Sequence, residues 1–112
     1  MAKIVFVAHP ISGDVEGNIR KVIAICKSIH SKIVIPIFPG LLWMQYLGDS
    51  DVDKDLTDDT DRQYFRRPLF DELWLYGDHI SEEMKKKIAL AEKHGIPIVA
   101  KTPETHKALL AL

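Results

Sequence analysis

Lys3-Ile4-Val5-Phe6-Val7-Ala8-His9-Pro10-Ile11-Ser12-Gly13-Asp14 is the stretch on which the fold turns. After Lys3 it runs continuously apolar to Ala8, the pattern of a parallel strand buried on both faces rather than of a strand with one wet face. Pro10 and Gly13 then break it into a loop. From Glu16 to His30 the apolar residues Ile19, Val22, Ile23, Cys26 and Ile29 recur at helical spacing with one buried face. A buried strand, a loop and an amphipathic helix begin a βαβ unit.

The alternation continues along the chain. Ile33–Ile37 is a second strand, stopped by Pro39-Gly40. Leu41–Leu47 is a short helix ending near Gly48, and a polar, Asp-rich segment from Asp49 to Asp61 is expected to be a solvated loop. A helix is predicted from about Asp59 to Arg67, before Pro68. Glu72–Tyr76 is a third strand, followed by the loop Gly77-Asp78-His79. Ser81 is the N-cap of a helix carrying Glu82 and Glu83 in its first turn and ending at Gly95. Ile96–Ala100 is a fourth strand, and Thr102 caps a last helix with Pro103 at its first position. This order predicts one α/β domain over residues 1–112, flavodoxin-like or Rossmann-like. Its parallel sheet is ordered 2-1-3-4, with room for a fifth short strand and helices on both faces. A ligand is then expected where the strands' carboxyl ends meet the following helices.

Composition narrows the classes. The 112 residues suffice for one core. With 15 basic and 16 acidic side chains and a net charge of -1, no basic excess drives general nucleic-acid binding. Single Cys26 forms no internal disulfide and reads as a buried small hydrophobe. The opening residues are too short for a signal-peptide core, and no apolar run approaches a membrane span. No membrane contact and a cytoplasmic location are the expectation.

Two clusters could carry chemistry. In the first, His9, Ser12 and Gly13, running toward Asn18, lie at the expected crevice; backbone N–H groups and Ser12 could hold an anion or a sugar hydroxyl. The alternative is a turn with Asp14 as cap. In the second, Asp71, Asp78, His79, Ser81 and Glu83 surround the third strand and the next helix, with carboxylates suited to nucleophilic or acid–base work. Capping explains Ser81, Glu82 and Glu83 equally well. Asp49, Asp51 and Asp53 imitate the start of a calcium loop, but Lys54 and Thr60 break it. No metal or other cofactor is expected. Glu83 and Lys87, four residues apart, are expected to pair. Trp43, Tyr46, Tyr64 and Phe65 lie outside the alternation and are expected to serve a homodimer or larger symmetric oligomer.

Three stretches together resemble the small nucleoside 2-deoxyribosyltransferase-like proteins, in particular an uncharacterised branch of them. Ala8–Gly13 with Asn18 is similar to that family's early loop, and Pro39–Leu47 to its middle segment. Asp71–Met84, running on to Ala89-Leu90-Ala91-Glu92 and Gly95-Ile96-Pro97, is similar to its most specific motif. The resemblance implies a nucleoside or nucleotide ligand bound by His9, Ser12, Gly13, Asn18, His79, Ser81 and Lys87. It also implies N-glycosidase or transferase chemistry, in which a helix glutamate attacks the anomeric carbon through a covalent intermediate. Lys87 stands at the position of that glutamate, and Val5 stands nearest the tyrosine that some members carry on the first strand. Glu83 stands where relatives usually have Gly. Two expectations follow: a binding module without the nucleophile, or an active hydrolase or transferase using Glu83, with Asp71 or Asp78 as acid/base. A non-enzymatic interaction module is the further alternative.

Overall fold

The computed structural model describes residues 1–112. Four strands, β1 (Lys3–Ala8), β2 (Val34–Ile37), β3 (Glu72–Leu75) and β4 (Ile98–Ala100), form one sheet ordered β2-β1-β3-β4. Every pairing is parallel. Five helices connect or follow them: α1 (Val15–Ile29), α2 (Gly40–Trp43), α3 (Asp51–Arg66), α4 (Glu82–Lys93) and α5 (Pro103–Leu110). The architecture and strand order are those expected; the sheet has four strands, with no fifth.

Strand alternation divides the core. Phe6 and Ala8 point to one face, where they meet Leu73 and Leu75 of β3, Phe65 of α3, and Met84, Ile88 and Ala91 of α4. Val5 and Val7 point to the other, with Trp74 and Tyr76, against Ile25, Cys26 and Ile29 of α1. Cys26 is therefore half-buried packing, and burial pushes its thiol pKa up. On the first face Phe6, Phe65 and Phe70 stack as a trio, with ring centroids 5.1 to 5.4 Å apart. Such pairs add about 0.5–1.5 kcal/mol each beyond the area they bury. No helix is long and apolar enough to cross a membrane.

Two expectations are corrected here. The Asp-rich segment is not a loop: α3 begins at Asp51, about two turns before the expected start. Ser50 caps it by accepting the Asp53 N–H at 3.2 Å, and Asp51 and Asp53 sit where the helix dipole favours carboxylates. Second, the four aromatics are not a common surface. Phe65 is fully in the core and Trp43 is buried, tilted against Tyr64 at 6.1 Å. Tyr46 is exposed and Tyr64 borderline.

Candidate functional site

A cavity of about 370 Å³ opens at the carboxyl end of β1. Ala8, His9, Ile11 and Ser12 form its floor and one side, where the chain leaves β1 for α1. Phe38, Trp43, Met44 and Leu47 supply an apolar wall around α2. Thr57, Asp58 and Asp61 of α3 face Ser81, Glu83, Met84 and Lys87 of α4 across it. Thr57, Asp61 and Phe65 lie one turn apart, with Asp58 beside Thr57, so the inward stripe of α3 is polar where it meets the cavity and aromatic where it meets the core.

The dominant interaction is an ion pair across this seam. Lys87 Nζ lies 2.8 Å from Asp61 Oδ2, and the two side chains are only 14% and 6% exposed. Asp61 Oδ1 is buried and has no hydrogen-bond partner. Burial pushes the Asp61 carboxyl pKa up, and the Lys87 ammonium opposes that shift. The expected Glu83–Lys87 pair is not formed. Glu83 instead meets Lys86 at 3.2 Å, and Lys86 also reaches Asp58 at 3.1 Å. Lys86 has its pKa raised, first by the Asp58 hydrogen bond.

Of the residues singled out in the sequence, His9, Ser12, Ser81, Glu83 and Lys87 line the cavity together. His9 is buried, and its Nδ1 lies 2.6 Å from the Pro10 carbonyl. A carbonyl only accepts, so Nδ1 is the donor. Ser81 caps α4 by accepting the Met84 N–H at 3.2 Å. Gly13 and Asn18 shape the loop from outside the lining. Gly13 turns the chain at φ 97°, and Asn18 donates to the Ile11 carbonyl at 3.0 Å. Asp78 and His79 pair with each other at 2.6 Å on the exposed loop after β3, and that bond holds the Asp78 carboxyl below its usual range. Asp71 lies at the opposite end of the sheet. Its Oδ2 accepts the Ile4 N–H at 2.7 Å and its own N–H donates to the Ile4 carbonyl at 2.8 Å, clamping the start of β1 to β3.

The sequence reading missed Asp61, Asp58 and Trp43 as parts of this site. Asp61 was hidden among six other aspartates between Asp49 and Asp61. The spacing of Thr57, Asp61 and Phe65 was the available signal, since it fits one helical stripe.

The β1–α1 loop is held against the next one at a single tight point. Gly77 has φ 100°, and a Cβ there would lie 2.5 Å from Pro10 Cδ. Glycine at 77 thus lets the His9-Pro10 loop and the β3–α4 loop approach.

No curated protein and no solved structure matches the chain. Residues 3–101 match the family described as "Domain of unknown function (DUF7768)", and the chain belongs to that family.

Proposed function

We propose that the crevice binds a nucleoside or nucleotide and that the chain acts as a binding module, not as an N-glycosidase. The observation that carries this reading is the Lys87–Asp61 pair. An ammonium, itself held by a buried carboxylate, stands where the resembled enzymes have their nucleophilic glutamate. The cavity's size falls in the range of about 300–1,000 Å³ usual for small-ligand sites, and it combines an apolar, aromatic wall with a few polar groups. Its place at the carboxyl end of an inner parallel strand is where such sheets bind ligands. The nucleoside assignment itself comes from the resemblance in the three sequence stretches.

One observation favours the second reading, a hydrolase or transferase working through Glu83. That carboxylate lines the cavity, and its ion-pair partner Lys86 is itself half exposed. A thermal-shift screen of nucleosides and nucleotides, followed by assay of free base on every hit, separates the two. Binding is expected without base release. Base release that disappears in Glu83→Gln would replace the first reading by the second, and a screen with no hit would end both.

Assembly is part of the proposal. Val52 and Leu56 project one turn apart from α3, and Leu42 and Tyr46 are exposed near α2. Their apolar area supports a homodimer or larger symmetric oligomer. Light scattering that gives a strict monomer at tens of micromolar would refute it. The lone thiol and the lack of a spanning helix are compatible with a cytoplasmic protein.

A further inference from the structure

We infer that His9 sets the ligand choice of the crevice: its Nε2 is a bare acceptor that takes a hydrogen bond from an N–H or O–H of the ligand. The inference rests on the reading of this crevice as a nucleoside or nucleotide site and assigns one specificity-determining contact within it.

His9 is the first residue after β1, in the loop that forms the floor of the crevice. It is 8% exposed, unlike His79, whose side chain is 60% exposed and held by Asp78. Ring nitrogens at such depth are normally partnered. In His9 only one is. Nδ1 donates to the Pro10 carbonyl at 2.6 Å, which in the neutral ring fixes the tautomer and leaves the lone pair on Nε2. The side-chain atoms that are both sealed from solvent and without a partner are Asp61 Oδ1 and the Tyr76 hydroxyl. Nε2 has no partner within the chain and is not among them, so it keeps accessible surface. The cavity that His9 lines is the crevice.

The acceptor is also held still. Pro10 fixes its own φ through its ring. A Cβ on residue 77 would lie 2.5 Å from Pro10 Cδ and 3.6 Å from His9 Cδ2, so Gly77 backs both residues. Asn18 ties down the next carbonyl, that of Ile11, at 3.0 Å.

Phe6, Ala8, Phe38 and Trp43 line the same cavity. Among apolar groups, an acceptor that loses its water without gaining a donor is penalised more than one at an open surface. A ligand with no donor at that point would strip Nε2 of water and return nothing, so the site discriminates by a missing bond and not by size alone. The carboxylates of the lining are weaker readers. Asp49 and Glu83 are exposed, where water competes for them, and Asp58 and Asp61 are engaged by Lys86 and Lys87.

The test is nitrogen NMR of the histidine-labelled full chain at about pH 8, with adenosine, cytidine, guanosine and uridine as probes. His9 is expected to show a protonated Nδ1 and a bare Nε2 in the free protein. The Nε2 signal is expected to shift when a bound nucleoside saturates the crevice. A proton on Nε2 instead of Nδ1, or an Nε2 signal unmoved by a nucleoside that calorimetry shows to bind, overturns the inference while the ligand-site reading stands. If none of these nucleosides binds, that reading fails and the inference falls with it. Two variants separate contact from scaffolding, because asparagine imitates the Nδ1 side of an imidazole and glutamine the Nε2 side. His9→Asn is expected to melt near wild type and to weaken the bound nucleoside about tenfold. His9→Gln is expected to melt lower and to bind within about threefold of wild type. The reverse order of affinities overturns the role of Nε2. Dideoxy and N-methylated forms of the same nucleoside locate the donor: one of them is expected to bind more weakly to wild type and no more weakly than the parent to His9→Asn. A nucleoside that loses each donor in turn at no cost in affinity overturns the inference. If either variant fails to fold, the NMR series in wild type still decides.

Discussion

Replacing Lys87 by methionine keeps most of the side chain's volume and removes its charge, so the variant isolates the ion pair at the base of the crevice. Asp61 would then be left buried among α3, α4 and the cavity with no cation beside it. Breaking a buried pair in this way costs about 3–5 kcal/mol. An independent ceiling comes from protonation. A carboxyl with an unfolded pKa of about 3.9 can be neutralised at pH 7 for about 4 kcal/mol, at about 1.4 kcal/mol per pH unit. The two figures agree, and together they predict a loss of about 3–4 kcal/mol at pH 7. The sign of the pH dependence follows. Burial already raises the Asp61 pKa, and removing Lys87 removes what opposes that rise. Between the unfolded pKa and the higher folded one, the folded variant holds a proton that the unfolded chain has released. Its stability is highest below the unfolded pKa and falls by about 1.4 kcal/mol per unit as pH rises toward the folded value. Urea unfolding followed by fluorescence of Trp43 and Trp74, at pH 5, 6 and 7, measures this. The cost is expected to shrink to about 1–2 kcal/mol at pH 5. Asp61→Leu combined with Lys87→Met should recover most of the loss. A cost below about 1 kcal/mol with no pH slope would mean that the pair behaves like a solvated surface pair. The same reasoning applies to Lys87→Glu, which puts back the carboxylate of the resembled enzymes. It would set a second carboxylate against Asp61 and cost more than the methionine variant.

Other outcomes are expected from residues elsewhere in the fold. Gly77→Ala meets both a positive φ and the Pro10 ring, and should cost about 1–3 kcal/mol by thermal or urea unfolding; a loss under about 0.5 kcal/mol would show that the two loops part readily. Asp71→Ala should lower stability by about 1–3 kcal/mol through the lost clamp on Ile4, while ligand affinity stays at the wild-type value; weakened binding would bring Asp71 back as a functional group. Glu72 has its pKa lowered by its bonds from Lys3 and Trp74. The stability it adds is present above its unfolded pKa and is lost as pH falls through the lower folded value, so Glu72→Gln should converge on wild type in acid. A gap that persists unchanged at the lowest pH would contradict that linkage.

The sheet was legible because its signals are local. Val5 to Ala8 read as a doubly buried strand from their own composition, and they are buried on both faces. Ser81 before Glu82-Glu83, and Thr102 before Pro103, mark helix starts through chemistry contained within four residues, and both are caps in the structure. The same locality explains the errors. Asp71 stands next in sequence to β3, yet β3 is crossed end to end before the chain reaches the crevice, so nearness along the chain placed Asp71 at the wrong end. Phe65 follows a polar stretch, and only the return of α3 across the sheet brings it against Phe6 at 5.2 Å.

α3 shows why the site itself was harder to read. Amphipathic helices are found by their apolar stripe, because that stripe meets a core. Here the inward stripe begins with Thr57, Asp58 and Asp61, while Val52 and Leu56 point to solvent. A helix whose inner face borders a cavity reverses the usual pattern for as long as the cavity lasts, and resumes it at Phe65. The Lys87–Asp61 pair was illegible for a related reason. A helical wheel ranks Lys87 only against residues of α4, and there Glu83 is its neighbour by spacing. In the fold Glu83 turns to Lys86, and Lys87 crosses to α3. The reversed stripe and the crossing lysine have one cause, a polar cleft between two helices that pack against the same sheet face. A run of acidic residues at helical spacing ahead of an aromatic, followed by a second helix with a lysine beside its apolar stripe, is therefore a sequence pattern worth reading as the two walls of a site. In this chain it points to Asp61 and Lys87, the pair whose worth the Lys87→Met unfolding series measures.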